Sequence, residues 1–110
     1  MIRVTIYESS DKVIRRCTFS GHAEYADKGE DIICSAVSIL FINTVNAIET
    51  FTSDKTKVKE DKKTNSYDFS FCKFPGKDSQ LLMNTLLLGL DSIQSQYGSK
   101  YLKIIHKEVL

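Results

Sequence analysis

The segment from Ile32 to about Phe51 constrains the fold more than any other. Its apolar positions, among them Ile33, Ala36, Val37, Ile39, Leu40, Phe41, Val45 and Ile48, recur with helical spacing but spread beyond one narrow stripe. A helix apolar almost all round must be covered on more than one side, so the pattern predicts a buried central helix. Asp31 stands just before it, and a carboxylate there accepts bonds from the exposed N–H groups of a first turn, which marks Asp31 as the N-cap. The strongly apolar part, Ile32 to Ile42, contains Cys34, Ser35 and Ser38 and is shorter than the ~20 residues a bilayer span needs, so no membrane partner is expected.

The flanking segments alternate with period two. Ile2, Val4 and Ile6 alternate with Arg3, Thr5 and Tyr7, and after the turn-like Ser9–Lys12 the run from Val13 to Ser20 alternates again. Val13, Cys17 and Phe19 share a face interrupted by Arg15, so the two runs read as a hairpin. A second hairpin is predicted from Thr56–Glu60, a turn at Asp61–Ser66, and Tyr67–Phe74, ended by Pro75-Gly76. Asp78 or Ser79 then caps a helix through Gln96 carrying Leu82, Met83, Leu86, Leu87, Leu90 and Ile93, with Gly98 as its C′ residue. Lys100 to Val109 gives a final strand. The order β-β-α-β-β-α-β defines an α+β fold, antiparallel hairpins packed around a buried central helix with a second helix. At 110 residues it is one domain, 1–110.

Composition narrows the function class. Charged residues at 26% are ordinary for a folded domain, which excludes disorder. A net charge of +1 removes the usual argument for a dedicated nucleic-acid or membrane-surface protein. Three cysteines cannot close a disulfide framework. The chain opens like a strand rather than an export signal, so the thiols are expected to stay reduced and the protein to be cytoplasmic.

Chemistry concentrates between the first two elements. His22, one of two histidines, follows the first hairpin directly, and Cys34 falls at the third position of the helix if Asp31 caps it. Eleven residues separate them, and both ends of such a strand-to-helix connection can lie on one rim of the sheet. A thiol of pKa ~8.5 becomes a thiolate nucleophile beside an imidazolium or at a helix N-terminus. First-turn N–H groups also point where an oxyanion would form. An ionised Asp31 would oppose the thiolate, unless it caps the helix or orients His22. Packing is the commoner fate of a cysteine in an apolar helix, and the residues alone do not decide between packing and catalysis. Cys17, with Val13 and Phe19, reads as core; Cys72 lies on the Ser70 and Phe74 side of its strand; His106 reads as a surface or edge residue.

The run Gly21-His22-Ala23 through Gly29-Glu30-Asp31-Ile32-Ile33-Cys34-Ser35-Ala36-Val37-Ser38 closely resembles the signature of the bacterial ribosomal-processing cysteine proteases, the Prp or YsxB-like family. There Gly-His-Ala is followed, at this spacing, by Gly-x-Asp-Ile-Val-Cys-x-Ala-x-Ser. Ser35 stands where alanine is common and Ile33 where valine is common. Chain length, the leading hairpin and Asn46-Ala47-Ile48 extend the similarity along the chain.

The resemblance implies a cysteine endopeptidase that removes the N-terminal extension of a large-subunit ribosomal protein precursor, cleaving after an aromatic-rich stretch ending in Phe. By position Cys34 is implied as the nucleophile and His22 as general base and acid, with Asp31 and Ser38 in supporting roles and Gly21 as the hinge of a loop that closes over substrate. Ser38 lies one helical turn after Cys34, where its hydroxyl either contacts the site or bonds back to the Cys34 carbonyl. No third triad member is evident, so a Cys-His dyad is expected.

Three rival readings follow from other features. Lys55, Lys57, Lys59, Lys62 and Lys63 suggest a non-enzymatic, ribosome-associated RNA-binding or assembly module. Asp54, Glu60 and Asp61 reduce that segment's charge to +2, so a solvated hairpin without direct nucleic-acid contact is preferred. A metal site at His22 and Cys34 with His106 or Asp31 lacks any CxxC or HxxxH spacing, so neither metal nor cofactor is expected. The two helices offer more apolar surface than a small sheet covers, which together with the resemblance points to a homodimer, compatible with proteolysis.

Overall fold

The computed structural model describes residues 1–21, 28–64 and 66–109, with side chains resuming after the first connection at Ile32. The elements run β1 (Ile2–Glu8), β2 (Ile14–Ser20), α1 (Lys28–Phe51), β3 (Thr56–Asp61), β4 (Ser66–Phe71), α2 (Lys77–Tyr97) and β5 (Leu102–Glu108). The hairpins β1/β2 and β3/β4 join through an antiparallel β2–β4 pairing into one sheet of order β3-β4-β2-β1-β5. The closing strand β5 runs parallel to β1, in the register Ile2 to Leu102 through Glu8 to Glu108.

Alternation assigns each strand one inward face. Ile2, Val4, Ile6, Cys17, Phe19, Phe69, Phe71 and Leu102 form one continuous core with Ile33, Val37, Phe41 and Ile48 of α1 and Met83, Leu86 and Leu90 of α2. The core is therefore a single layer between one sheet face and the helix pair. At Gly89 a Cβ would press within 3.0 Å of Leu40, so a glycine lets α1 and α2 approach closely.

Four sequence expectations shift. On β2 it is Ile14, not Val13, that joins the core. The register passes from Tyr7–Arg16 to Glu8–Ile14, leaving Arg15 as an extra residue, and this bulge reverses the phase of the alternation. The backbone of Ile14 is met by the Gln80 amide of α2, which accepts its N–H at 2.7 Å and donates to its carbonyl at 2.8 Å. Second, the N-cap of α2 is Gly76, which offers no side-chain cap. Asp54 serves from the α1–β3 connection instead: its Oδ2 accepts the Ser79 hydroxyl at 2.5 Å and the Gly76 N–H at 2.9 Å, bonds that hold the carboxyl below the usual carboxylate range. Gly98 does close the helix, at φ 85° with its N–H on the Gln94 carbonyl.

Third, α1 starts at Lys28, about one turn earlier than expected. Acidic residues such as Glu30 and Asp31 suit an electropositive helix start, and Gly29 is tolerated there. Fourth, Asn43, Thr44 and Asn46 are uncharged, so the apolar character of α1 persists from Ile32 to Phe51. That stretch is 20 residues with mean hydropathy 1.7, enough by length and composition to cross a membrane. In the fold it packs as a core helix along Ile33, Val37, Phe41 and Ile48, while Ile32, Ile39 and Ile42 stay exposed.

Candidate active site

Gly21 directly follows β2 at φ +98°, where a Cβ would collide with the carbonyl oxygen of Met1. Glycine is required there on two counts, conformation and space. It fixes the point from which the chain departs toward His22. His22 itself and the side chain of Asp31 lie outside the described residues.

Cys34 occupies the α1 face that turns to the sheet, 9% exposed, in line with Val37 and Phe41. Because α1 begins at Lys28, Cys34 is its seventh residue rather than its third, and Asp31 lies inside the helix rather than capping it. That corrects two expectations with chemical consequences. The unpaired first-turn N–H groups belong to the turn before Cys34. The dipole, which fades within the first turn, acts on the thiol from further away. The helix start by itself therefore gives little reason for a lowered thiol pKa at Cys34.

An aromatic cluster surrounds this end of the core. Phe41, two turns beyond Cys34, lies 6.4 Å from Phe19 of β2 and 5.7 Å from Tyr67 of β4, and Phe19 and Tyr67 are 5.8 Å apart. Phe19 is three residues before His22, so these contacts tie the exit of β2 to the helix that carries Cys34. Burial raises the Tyr67 phenol above its ordinary pKa, and the Glu60 carboxylate, which accepts its hydroxyl at 3.4 Å, and the Cys34 sulfur raise it further. Tyr67 is thus within electrostatic reach of the buried thiol. Sequence reading missed it. The signal was present, since Tyr67 shares a strand face with Phe69 and Phe71, but only the β2–β4 register carries it to Cys34.

The other candidates separate cleanly. Ser38 is half-buried one turn beyond Cys34. Cys17 is fully buried, and burial pushes its thiol up to about 12, so it remains a packed, protonated group. Cys72 is exposed just past β4, and His106 sits on the edge strand with Nδ1 3.0 Å from Glu8 Oε1, as a surface residue should. No three His, Cys, Asp or Glu side chains gather to hold a metal among the described residues.

Comparison with known proteins follows the same lines. The family model of the cysteine protease Prp matches residues 1–103. The ribosomal processing cysteine protease Prp of Staphylococcus aureus is 27% identical over 98 residues, covering 89% of this chain and 92% of that relative. The crystal structure of S. aureus Prp with a substrate peptide matches with a TM-score of 0.90 at 24% identity, covering 97% of this chain and 100% of that one. A second S. aureus Prp structure, with a covalently linked product peptide, matches at TM-score 0.86 and 25% identity over the same shares.

Proposed function

The chain belongs to the cysteine protease Prp family, and on that basis we propose that it removes the N-terminal extension of a large-subunit ribosomal protein precursor through a Cys34–His22 dyad. The observation that carries the assignment is the placement of Cys34. Of three cysteines it alone faces the end of the sheet from which the chain leaves for His22, within reach of Tyr67. Cys17 is sealed in the core, and Cys72 lies beyond the other end of β4.

The chemistry is acyl transfer. His22 takes the Cys34 proton, the thiolate attacks the scissile carbonyl, and the imidazolium donates its proton to the departing amine. Water, deprotonated by the same imidazole, then hydrolyses the thioester and restores the thiol. Thiol, imidazole and water suffice, so the reaction draws on no metal or cofactor. Asp31 and Ser38 support the site from α1, and Gly21 is the hinge from which the chain leads to His22. The exposed Ile32, Ile39 and Ile42 on the outer side of α1 suit burial against a second copy, and we place the protein in the cytoplasm as a homodimer.

The test is direct. Wild type is incubated with a ribosomal protein bearing its extension, beside His22→Ala and Cys34→Ala. One truncated product, identified by mass, is expected from wild type and none from either variant. Intact substrate with wild type, or undiminished cleavage by either variant, overturns the assignment.

A further inference from the structure

We infer that the face of the sheet turned away from the helices is a docking surface for the phosphate backbone of single-stranded RNA, bound without regard to sequence. The strand registers bring the outward side chains into rows. One row runs Lys57, Ser70, Arg16, Tyr7, Lys107; the next runs Lys59, Asp68, Thr18, Thr5, Ile105. In a third, Arg3 stands between Ser20 and Lys103. Asp61 flanks the same end of the sheet opposite Ser66.

Among the described residues of these strands, that face therefore carries six cations (Arg3, Arg16, Lys57, Lys59, Lys103, Lys107) against Asp61 and Asp68, a net of +4. The whole chain carries only +1, so its overall neutrality conceals a strong separation of charge. The strands' other acids point the other way: Glu8, Glu60 and Glu108 share the side of Ile6, Tyr67 and His106.

Chemistry chooses the partner. Five strands at ~4.8 Å spacing make a platform ~19 Å across, studded with cations and with the hydroxyls of Thr5, Thr18, Ser20 and Ser70. Lysine, arginine, serine and threonine are the side chains that contact phosphates. An acidic protein would need an apolar anchor at the centre of its interface, and this face offers only Ile105 and Tyr7. Tyr7 is already engaged, with the Arg16 guanidinium 4.7 Å and the Lys107 ammonium 6.0 Å from its ring centroid, contacts that hold two cations in place. Cys34 lies on the opposite side of the sheet, so RNA and substrate peptide would not compete. The choice of RNA over other polyanions rests on the ribosomal setting proposed above.

The probe is a fluorescent oligouridine of about 20 nucleotides, titrated with wild type and with Lys57→Glu/Lys103→Glu/Lys107→Glu at several salt concentrations. If about four phosphates are neutralised, affinity falls about 50-fold between 50 and 200 mM salt. The triple variant should bind at least tenfold more weakly at low salt, with unchanged thermal midpoint and unchanged cleavage of a short peptide substrate. Retained peptide cleavage separates this surface from the protease site. No oligouridine binding by wild type, equal binding by the triple variant, or equal affinity for polyglutamate or anionic vesicles overturns the proposal.

Discussion

The two faces of the sheet solve different problems with the same alternating strands. One face is sealed by α1 and α2 into a core that holds five linked aromatic rings, Phe19, Phe41, Tyr67, Phe69 and Phe71, with Cys34 at its margin. The other is left open, and most of its side chains are cations and hydroxyls, with one bidentate Arg16–Asp68 pair at 2.8 and 2.6 Å. The packed core and Cys34 reside on the covered side. The open side contributes little to folding, which leaves its charges available for another purpose. A residue's position along a strand thus decides what its replacement will cost.

The sharpest contrast comes from substituting on opposite faces of two neighbouring strands. Phe69→Ala on the covered side of β4 removes a ring packed on Phe41 and Phe71 and should destabilise by about 3–5 kcal/mol in chemical denaturation. Lys57→Glu, one strand away on the open side, should stay within about 0.5 kcal/mol. Equal costs would erase the distinction between the faces.

Gly21→Ala sharpens the account at the boundary. The forced positive φ and the collision with Met1 should cost about 1–3 kcal/mol. Because the strain displaces the residue just before His22, cleavage should fall by a larger factor than the stability loss explains when both are measured well below the melting temperature. Unaltered cleavage would remove Gly21 from the positioning of His22.

The smallest effect is expected at Asp68. Its hydrogen bond and ion pair with Arg16 hold its carboxyl below the ordinary carboxylate range. A depressed folded pKa stabilises above the unfolded value of about 3.9 and loses that contribution as pH falls through the folded value. Both side chains are partly exposed, so solvent screening limits the pair to under about 1 kcal/mol. Asp68→Asn should therefore lower stability slightly at pH 7, with the difference from wild type vanishing at the most acid pH. The same change raises the net charge of the open face, so oligouridine binding should tighten and depend more steeply on salt.

Much of this was legible in the chain itself. Periodicity separated strands from helices because each element buries one face, and the His22–Cys34 spacing marked the strand-to-helix connection. What sequence left hidden are properties of register. Arg15 became a bulge, which exchanged Val13 for Ile14 in the core. The parallel pairing of β5 with β1 depends on the crossover through α2, not on any alternation within β5. Tyr67 comes within electrostatic reach of Cys34 only once β4 is laid beside β2. The charge of the open face emerges only when five strands are aligned, since single segments show modest sums such as the +2 of residues 54–63. Boundary errors had a local cause: acidic and glycine residues before Ile32 permit a helix start as well as a loop, and the chain takes the former from Lys28.

The central claim is that the sulfur of Cys34 is activated by His22. It is tested most directly by the order in which the thiols react with limiting iodoacetamide near pH 6, followed by peptide mass mapping. Cys34, 9% exposed, should be alkylated well before the exposed Cys72, and His22→Ala should abolish that preference. Alkylation of Cys72 first, or a Cys34 rate untouched by loss of the imidazole, would contradict it.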